Sequence, residues 1–164
     1  MPATKLNLIV AETPEQIETA RTLFKEYGAS LGFSLCFQSF DKELAELPGS
    51  YAPPRGRLLL ALDPANHSAP EYAGCVALHP LEGSICEMKR LYVRPEFRGR
   101  GVGQQLAAAI IAAGRELGYK SMRLDTVPGV MDSAIKMYRN IGFREISPYT
   151  HNPVPGAIFM EFDL

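Results

Sequence analysis

A glycine-rich turn lies between a strand-like segment and a helix-like segment in the middle of the chain. The β-type run from Ile85 to Val93 precedes it, and the residues from Gln104 onward contain no helix breaker until Gly114. Glycines without a Cβ let the backbone approach an anion closely, and the free N–H groups and positive dipole end of a new helix point toward that anion. The order strand, glycine turn, helix therefore predicts a site for a phosphate-bearing ligand.

The spacing of these glycines argues against two common nucleotide-binding motifs. A P-loop requires Lys and then Ser or Thr after its second glycine, whereas Gln104 and Gln105 follow here. A dinucleotide fingerprint requires a third glycine three residues after the second, and that position is Gln104 or Leu106, depending on the glycine counted first. The pattern that remains, directly after a strand, is Arg98-x-x-Gly101-x-Gly103.

This turn resembles the (Gln/Arg)-x-x-Gly-x-(Gly/Ala) motif of the GNAT superfamily of N-acetyltransferases, which binds the pyrophosphate of acetyl-coenzyme A (acetyl-CoA). The segment from Lys136 to Phe143 resembles a second signature of that superfamily, a helix that carries a tyrosine and closes in Gly-Phe. The resemblance covers roughly residues 85 to 146. It implies direct transfer of an acetyl group from acetyl-CoA, as co-substrate, to a primary amine of a small molecule, peptide or protein. The alternative from another class is a non-catalytic domain that binds or senses acyl-CoA on the same scaffold.

The resemblance also implies where the cofactor binds. The strand before the turn is expected to splay from the next strand, which would leave backbone groups of Leu91 and Val93 unpaired for the pantetheine arm and the acetyl carbonyl. Arg98 and Arg100, inside the turn, are expected to attract the phosphates, with Lys89, Arg90 and Arg94 nearby. The predicted cofactor-binding residues are Leu91, Tyr92, Val93, Arg98, Gly99, Arg100, Gly101, Val102, Gly103 and Gln104.

Two residues are predicted to be catalytic by the same resemblance. Tyr138 matches the tyrosine that protonates the departing thiolate in many members, and the alternative is a core tyrosine with its hydroxyl at the surface. Glu87 matches the general base of histone-acetylating members, while Asp125 or an ordered water chain are the alternatives. A glutamate base needs a raised pKa, and ion pairing with Lys89, on the same strand face, would oppose that.

The hydrophobic pattern predicts the element order β-α-α-β-β-β-α-β-α-β-β. Thr13 is expected to cap the first helix through a capping box, and Asp132 is expected to cap the last helix. Together with the resemblance, this order predicts an α/β (α+β) fold with a mixed, mostly antiparallel central sheet and helices on both faces. Residues 1 to 164 are expected to form a single N-acetyltransferase domain.

Composition limits the partners and the compartment. Seventeen basic and eighteen acidic residues give a net charge of −1, which argues against nucleic-acid binding through a general basic surface. The chain shows neither a signal peptide nor an apolar run that would span a membrane, so a cytoplasmic protein is expected. The odd cysteine count favours a reducing compartment, and the histidines lack zinc-site spacing, so no metal is expected. These residues are Cys36, Cys75, Cys86, His67, His79 and His151. The acceptor amine stays open, as does the choice between a monomer and a homodimer.

Overall fold

The computed structural model describes residues 5–35, 39–65 and 71–164. Cys36 and His67 lie outside these ranges. Within them the chain forms seven strands and four α-helices, together with two short 3₁₀ segments at Gly49–Tyr51 and Pro95–Phe97. The elements are β1 (Asn7–Val10), α1 (Pro14–Ser30), α2 (Phe40–Glu46), β2 (Arg57–Asp63), β3 (Glu71–Glu82), β4 (Ile85–Val93), α3 (Val102–Glu116), β5 (Ser121–Thr126), α4 (Asp132–Ile141), β6 (Arg144–Ile146) and β7 (Ile158–Asp163). The predicted order of strands and helices is confirmed.

The strands form one sheet in the order β1-β2-β3-β4-β5-β7-β6. All neighbouring strands are antiparallel except β4 and β5, which run parallel because α3 connects them by a crossover. The mixed, mostly antiparallel sheet is therefore confirmed. None of the helices in the described ranges combines the length and apolar composition that a membrane span requires.

Each face of the sheet has its own hydrophobic core, because alternate residues of a strand point to opposite faces. The core on the α3 face includes Val76, Leu78, Met88, Leu106, Ile110, Met122 and Met160. The core on the opposite face, under α1, includes Ala20, Leu23, Phe24, Leu58, Leu60, Cys75 and Ala77. Helices thus cover both faces, as predicted.

The parallel pair β4 and β5 separates after a short contact. Their backbones are in register only at Ile85, Cys86 and Glu87, and β5 continues beyond that point paired with β7 alone. A register shift between β3 and β4 lies close to Arg90, whose φ of 61° is in the left-handed region. The predicted splay is present, and it leaves one side of the second half of β4 without a neighbouring strand.

The helix starts show which local predictions hold. Thr13 Oγ1 accepts a hydrogen bond from Gln16 N at 3.1 Å, and Gln16 Oε1 accepts one from Thr13 N at 3.0 Å, so the predicted capping box is confirmed. The prediction that Asp132 caps α4 is wrong. Asp132 is the first residue of that helix, and its carboxylate accepts the N–H of Gly129 in the preceding loop at 2.7 Å.

Candidate active site

A cleft of about 760 Å³ opens where β4 and β5 diverge. One wall consists of the end of β4, the glycine turn and the start of α3, and the other consists of the end of β5, the loop after it and α4. The predicted cofactor-binding residues that line it are Leu91, Tyr92, Val93, Arg98, Gly99, Gly101, Val102, Gly103 and Gln104. Arg100 does not line the cleft; its guanidinium lies 5.6 Å from the centre of the Phe97 ring.

The floor of the cleft at the glycine turn is an exposed helix start. Gly101 is the N-cap of α3 with a φ of 76°, and no side chain caps the helix there. A Cβ added to Gly103 would have as its nearest neighbours Met137 Sδ and Val93 Cγ2, both at 3.8 Å, an ordinary contact distance, and Gly103 lines the cleft. Uncapped N–H groups and a positive dipole end facing open space are what a pyrophosphate requires, and the turn fits that group.

Two of the basic residues near the turn have protein partners that take them away from the phosphates. Arg90 is buried and makes a bidentate ion pair with Glu43, at 2.8 and 2.9 Å. Arg94 makes a similar pair with Glu26, with the closer contact at 2.8 Å. We therefore no longer expect Arg90 and Arg94 to attract the phosphates, because their charges are paired with Glu43 and Glu26.

Arg98 lines the cleft but folds back onto β4. Its Nε donates a hydrogen bond to the Val93 carbonyl at 3.0 Å, and its guanidinium lies 6.0 Å from the centre of the Tyr92 ring. Val93 is also in register with Gly74 of β3. The expectation of an unpaired backbone therefore fails for the Val93 carbonyl, whereas Leu91 has no partner in the register of β4 with β3 or β5.

Tyr138 of α4 lies with its ring in the core and its hydroxyl at the cleft. The residue is 6 % exposed, and its ring packs against Phe143 with the ring centres 5.6 Å apart. Among the described residues, the Tyr138 hydroxyl has no hydrogen-bond partner, and every fully buried polar side-chain atom has one. The hydroxyl is therefore not fully buried. Since Tyr138 lines the cleft, we infer that its hydroxyl borders the cleft. Burial raises the pKa of Tyr138, which keeps the group a protonated phenol near neutral pH and makes it a weaker acid than an exposed tyrosine.

Glu87 is held by three side chains next to the cleft. Its Oε1 lies 2.8 Å from His79 Nε2 and 3.5 Å from Lys89 Nζ, and its Oε2 accepts a hydrogen bond from Tyr149 at 2.6 Å. Burial by itself would raise the pKa of Glu87, but the hydrogen bonds and the charge of Lys89 outweigh it and lower the pKa below its ordinary value. This direction is opposite to the one that favours a general base for an ammonium group.

Asp125 is one of two carboxylates that line the cleft, and Asp132 is the other. The Oδ1 of Asp125 lies 3.5 Å from Lys89 Nζ, and its Oδ2 accepts a hydrogen bond from Asn152 at 3.0 Å. Lys89 therefore lies between two carboxylates, at the same distance from each. The side chains of Lys89, Glu87 and Asp125 are 13 %, 5 % and 7 % exposed, so bulk water screens these charges only weakly.

A second cavity of about 310 Å³ lies behind this group, bounded by α2, the 3₁₀ segment Gly49–Tyr51 and strands β3 and β4. Glu87 and His79 line this second cavity and not the cleft. Lys89 and Arg90 line both spaces and form the wall between them. Among the described residues, no group of His, Cys, Asp and Glu side chains could hold a metal ion.

The sequence did not point to three residues of this network, which are His79, Tyr149 and Asn152. The hairpin pattern of β3 and β4 could have indicated His79 only approximately. In the structure, His79 lies directly opposite Glu87. The hairpin turn alone would place Met88 opposite His79, and a register shift near Pro80 changes that partner. Tyr149 and Asn152 belong to the loop before β7, and their partners lie 62 and 27 residues away, beyond the reach of local pattern analysis.

Comparisons with known proteins agree with this site. Residues 21–143 match the acetyltransferase (GNAT) family. An uncharacterised N-acetyltransferase of Schizosaccharomyces pombe is 38 % identical over 165 residues, which cover 100 % of this chain and 98 % of that protein. An acetyltransferase from Streptococcus agalactiae has a TM-score of 0.76 at 18 % identity, with 97 % and 98 % of the chains covered. A Bacillus subtilis acetyltransferase solved in complex with CoA has a TM-score of 0.65 at 18 % identity, with 98 % and 99 % covered.

The family match and the full-length relative show that this chain belongs to the GNAT family of acetyltransferases. The resemblance of the two sequence signatures is thereby confirmed, and the protein is an N-acetyltransferase. Nothing in these comparisons favours a non-catalytic acyl-CoA-binding domain. The solved structures, at their low identity, establish the shared fold.

Proposed function

We propose that acetyl-CoA binds in the cleft and that the chain transfers its acetyl group to a primary amine. The observation that carries this proposal is the uncapped start of α3, which opens into the splay between β4 and β5. The pyrophosphate would lie on the turn from Gly99 to Gln104. The pantetheine arm would run along the free side of β4 at Leu91, and also at Val93 once Arg98 releases the Val93 carbonyl. The bound cofactor supplies an acetyl thioester, the activated form of the group to be transferred.

The chain's own residues supply orientation and proton transfer. Tyr138 donates a proton to the departing thiolate, since its hydroxyl borders the cleft and is protonated near neutral pH. Asp125 takes the proton of the amine, because it is a buried carboxylate that lines the cleft. Glu87 contributes from behind Lys89 and does not contact the amine. Arg98 binds phosphate only after it releases the Val93 carbonyl.

We assign the acceptor amine to the side of the cleft that is formed by α1 and the following loop, which is largely aromatic and apolar. Tyr27, Leu31, Phe33 and Leu35 line this side. Such a wall favours a primary amine whose substituent is apolar or aromatic. We further propose that residues 1 to 164 act as one N-acetyltransferase domain. The free thiols of Cys75 and Cys86 support a reducing compartment, and we place the protein in the cytoplasm.

A thiol-release assay with a panel of amines tests the proposed function. The panel contains alkylamines, arylalkylamines, amino acids and peptides with a free N-terminus, each with saturating acetyl-CoA, and mass spectrometry identifies the acetylated product. Amine-dependent release of CoA is expected from the wild type and not from Gly103→Val, in which the new side chain occupies the space above the turn. Binding of acetyl-CoA without transfer to any amine would instead support the non-catalytic alternative.

A further inference from the structure

We propose that Lys89 relays the proton of the acceptor amine out of the cleft, from Asp125 to Glu87, and that the second cavity is the exit to solvent. This inference rests on the proposed acetyl transfer and concerns how that reaction disposes of its proton. Its basis is the arrangement of one lysine, two buried carboxylates and two cavities that share a wall.

Acetylation of an ammonium ion requires such an exit. A primary ammonium carries three N–H bonds, and the secondary amide that it becomes carries one. One of the two protons lost remains on the thiol of coenzyme A, and the other must leave the protein in every turnover. An amine that is already neutral when it binds loses only the proton that the thiol takes up, so it needs no exit.

The contacts provide a route for this second proton. Asp125 lines the cleft, and its Oδ1 lies 3.5 Å from Lys89 Nζ. Lys89 Nζ lies 3.5 Å from Oε1 of Glu87, which lines the second cavity. Asp125 accepts the proton from the ammonium, Lys89 gives one proton to Glu87 and takes the proton from Asp125, and Glu87 releases its proton to water in the second cavity. Each side chain then has its starting charge again.

The surrounding hydrogen bonds hold the two carboxylates in place for this relay. Tyr149 and His79 orient Glu87, and Asn152 orients Asp125. The lowered pKa of Glu87, which makes it a poor base for the amine itself, opposes proton uptake from Lys89 and favours release to water, so Glu87 holds the proton only briefly. Glu87 and Asp125, two alternatives for one base in the sequence, thus become two ends of one path.

Two replacements of Lys89 separate a relay from an ion pair. Lys89→Arg keeps the positive charge and can still contact both carboxylates, but a guanidinium does not lose its proton in proteins. Lys89→Met keeps a similar length and removes the charge. Lys42→Arg is the matched control, because Lys42 lines the same second cavity and takes no part in the relay.

The experiment compares two amines at neutral pH with each variant. The first is the panel amine with the highest wild-type rate, and the second is its 2,2-difluoro analogue, which has nearly the same shape but is mostly neutral in water. An example of such a pair is 2-phenylethylamine and 2,2-difluoro-2-phenylethylamine. The ratio of variant kcat to wild-type kcat is measured for both amines, with the melting temperature as a check on folding.

We expect Lys89→Arg and Lys89→Met to lower kcat for the ordinary amine on the order of 10²-fold, the lower range for a positioned proton-transfer group, and to leave kcat for the difluoro amine nearly unchanged. If the kcat of Lys89→Arg with the ordinary amine equals that of the wild type, the relay is overturned and Lys89 is only an ion-pair partner. An equal loss with both amines would also overturn it, because a structural defect does not distinguish the protonation state of the substrate.

Glu87→Gln provides a second variant if the lysine variants do not fold. The amide keeps the shape of the side chain but cannot take up a proton, so the same selective loss with the ordinary amine is expected. Equal rates of Glu87→Gln and wild type with that amine would overturn the route through the second cavity. Failure of the proposed function is a distinct result, because the wild type would then acetylate no amine of the panel.

Discussion

At the scale of single residues, removal of the Tyr138 hydroxyl tests the proposed proton donor with little change to the packing of the core. Tyr138→Phe keeps the ring contact with Phe143 and removes only the polar atom that borders the cleft. We expect the single-turnover rate of acetyl transfer to fall by about 10²–10⁴-fold, with the lower end favoured because a coenzyme A thiolate leaves fairly well unaided. Rapid-quench measurements at saturating acetyl-CoA report this step without product release.

The affinity for acetyl-CoA distinguishes this role from a binding role. If the hydroxyl only held the cofactor, binding would weaken by about 0.5–1.5 kcal/mol, the net contribution of a neutral hydrogen bond, and the saturated rate would be unchanged. Titration calorimetry on the variant measures that affinity directly. An unchanged single-turnover rate would remove Tyr138 from the mechanism.

Glu87 gives a pH-dependent prediction for stability. Its pKa is lower in the folded protein than the ordinary value of 4.5, so the ionised carboxylate stabilises the fold at all pH values above that ordinary value. This stabilisation is lost as the pH falls through the lowered pKa of the folded state. Glu87→Gln lacks the titrating group, so we expect the stability difference between wild type and variant to shrink below about pH 4.5. Urea unfolding at several pH values measures this difference, and a constant difference across the acidic range would contradict the prediction.

The residues that could be predicted from sequence are those inside continuous motifs. The turn from Arg98 to Gly103 and Tyr138 all reach the cleft, apart from Arg100, because each belongs to an element that the motif itself specifies. The basic residues around the turn were harder to interpret, since Arg90 and Arg94 find their acidic partners 47 and 68 residues away. Charge that is close in sequence therefore overstated the charge that is available to a phosphate.

At the scale of elements, the two ends of α3 offer a matched test of the anion site. Gly101 precedes the helix and Gly118 follows it, with φ values of 76° and 87°. Alanine in this region is strained at either position, so Gly101→Ala and Gly118→Ala are both expected to lower stability, by on the order of 1 kcal/mol. Only Gly101→Ala is expected to weaken acetyl-CoA binding, because only this end of the helix faces the cleft.

Gly103→Val tests the same anion site without the backbone strain that Gly101→Ala introduces. Gly103 lies inside the first turn of α3, and an added Cβ meets only atoms at ordinary contact distance. We expect a folded variant with a melting temperature close to that of the wild type and with acetyl-CoA affinity reduced below detection. Calorimetric titration checks the affinity, and wild-type binding by this variant would place the cofactor away from the turn.

A buried ion pair contributes to the attachment of α2, together with the packing of Phe40 and Leu44 against the core. This helix contains no buried residue, whereas the Arg90 side chain that pairs with Glu43 is 2 % exposed and stacks 5.0 Å from the centre of the Phe40 ring. Glu43→Ala leaves that guanidinium without its carboxylate and is expected to cost about 3–5 kcal/mol of unfolding free energy. Glu46→Ala, on the exposed side of the same helix, is the control and is expected to stay within about 0.5 kcal/mol of the wild type. Denaturant unfolding measures both, and equal effects would show that the ion pair does not hold the helix.

Elements were predictable where the local signal and the tertiary contacts agree. The strand that the predicted order places after the third helix is present as β5, Ser121–Thr126, since its alternating pattern matches a strand buried in the sheet. The start of α4 was predicted wrongly. The Asp132 carboxylate can accept an N–H either from the first turn of the helix or from the preceding loop, and it accepts the N–H of Gly129 in the loop. Local propensity cannot decide between two donors that lie equally close in sequence.

At the scale of the whole molecule, the sheet consists of two antiparallel parts that meet at β4 and β5. The larger part contains β1 to β4, and the smaller contains β5, β7 and β6. Only three residue pairs join them within the sheet, although the core under α3 continues across the junction. Periodicity predicted the strands of both parts but not their meeting place. The expectation of a splay came from the family resemblance, because pairing between distant strands leaves no pattern in either strand alone.

This division gives a prediction for ligand-dependent stability. A ligand in the cleft contacts β4 and the start of α3 on one side and β5 and α4 on the other, so it ties the two parts together. Acetyl-CoA at about 100 times its Kd is expected to add about 2.7 kcal/mol by mass action. For a chain of this length, that free energy corresponds to a rise in Tm of about 5–11 °C, in a single cooperative transition. Differential scanning calorimetry with increasing acetyl-CoA measures both features, with Gly103→Val as the control that shows no rise. If the wild type shows no shift at millimolar acetyl-CoA, the cleft is not the cofactor site, and if a second transition separates from the first, the ligand stabilises one part of the sheet alone.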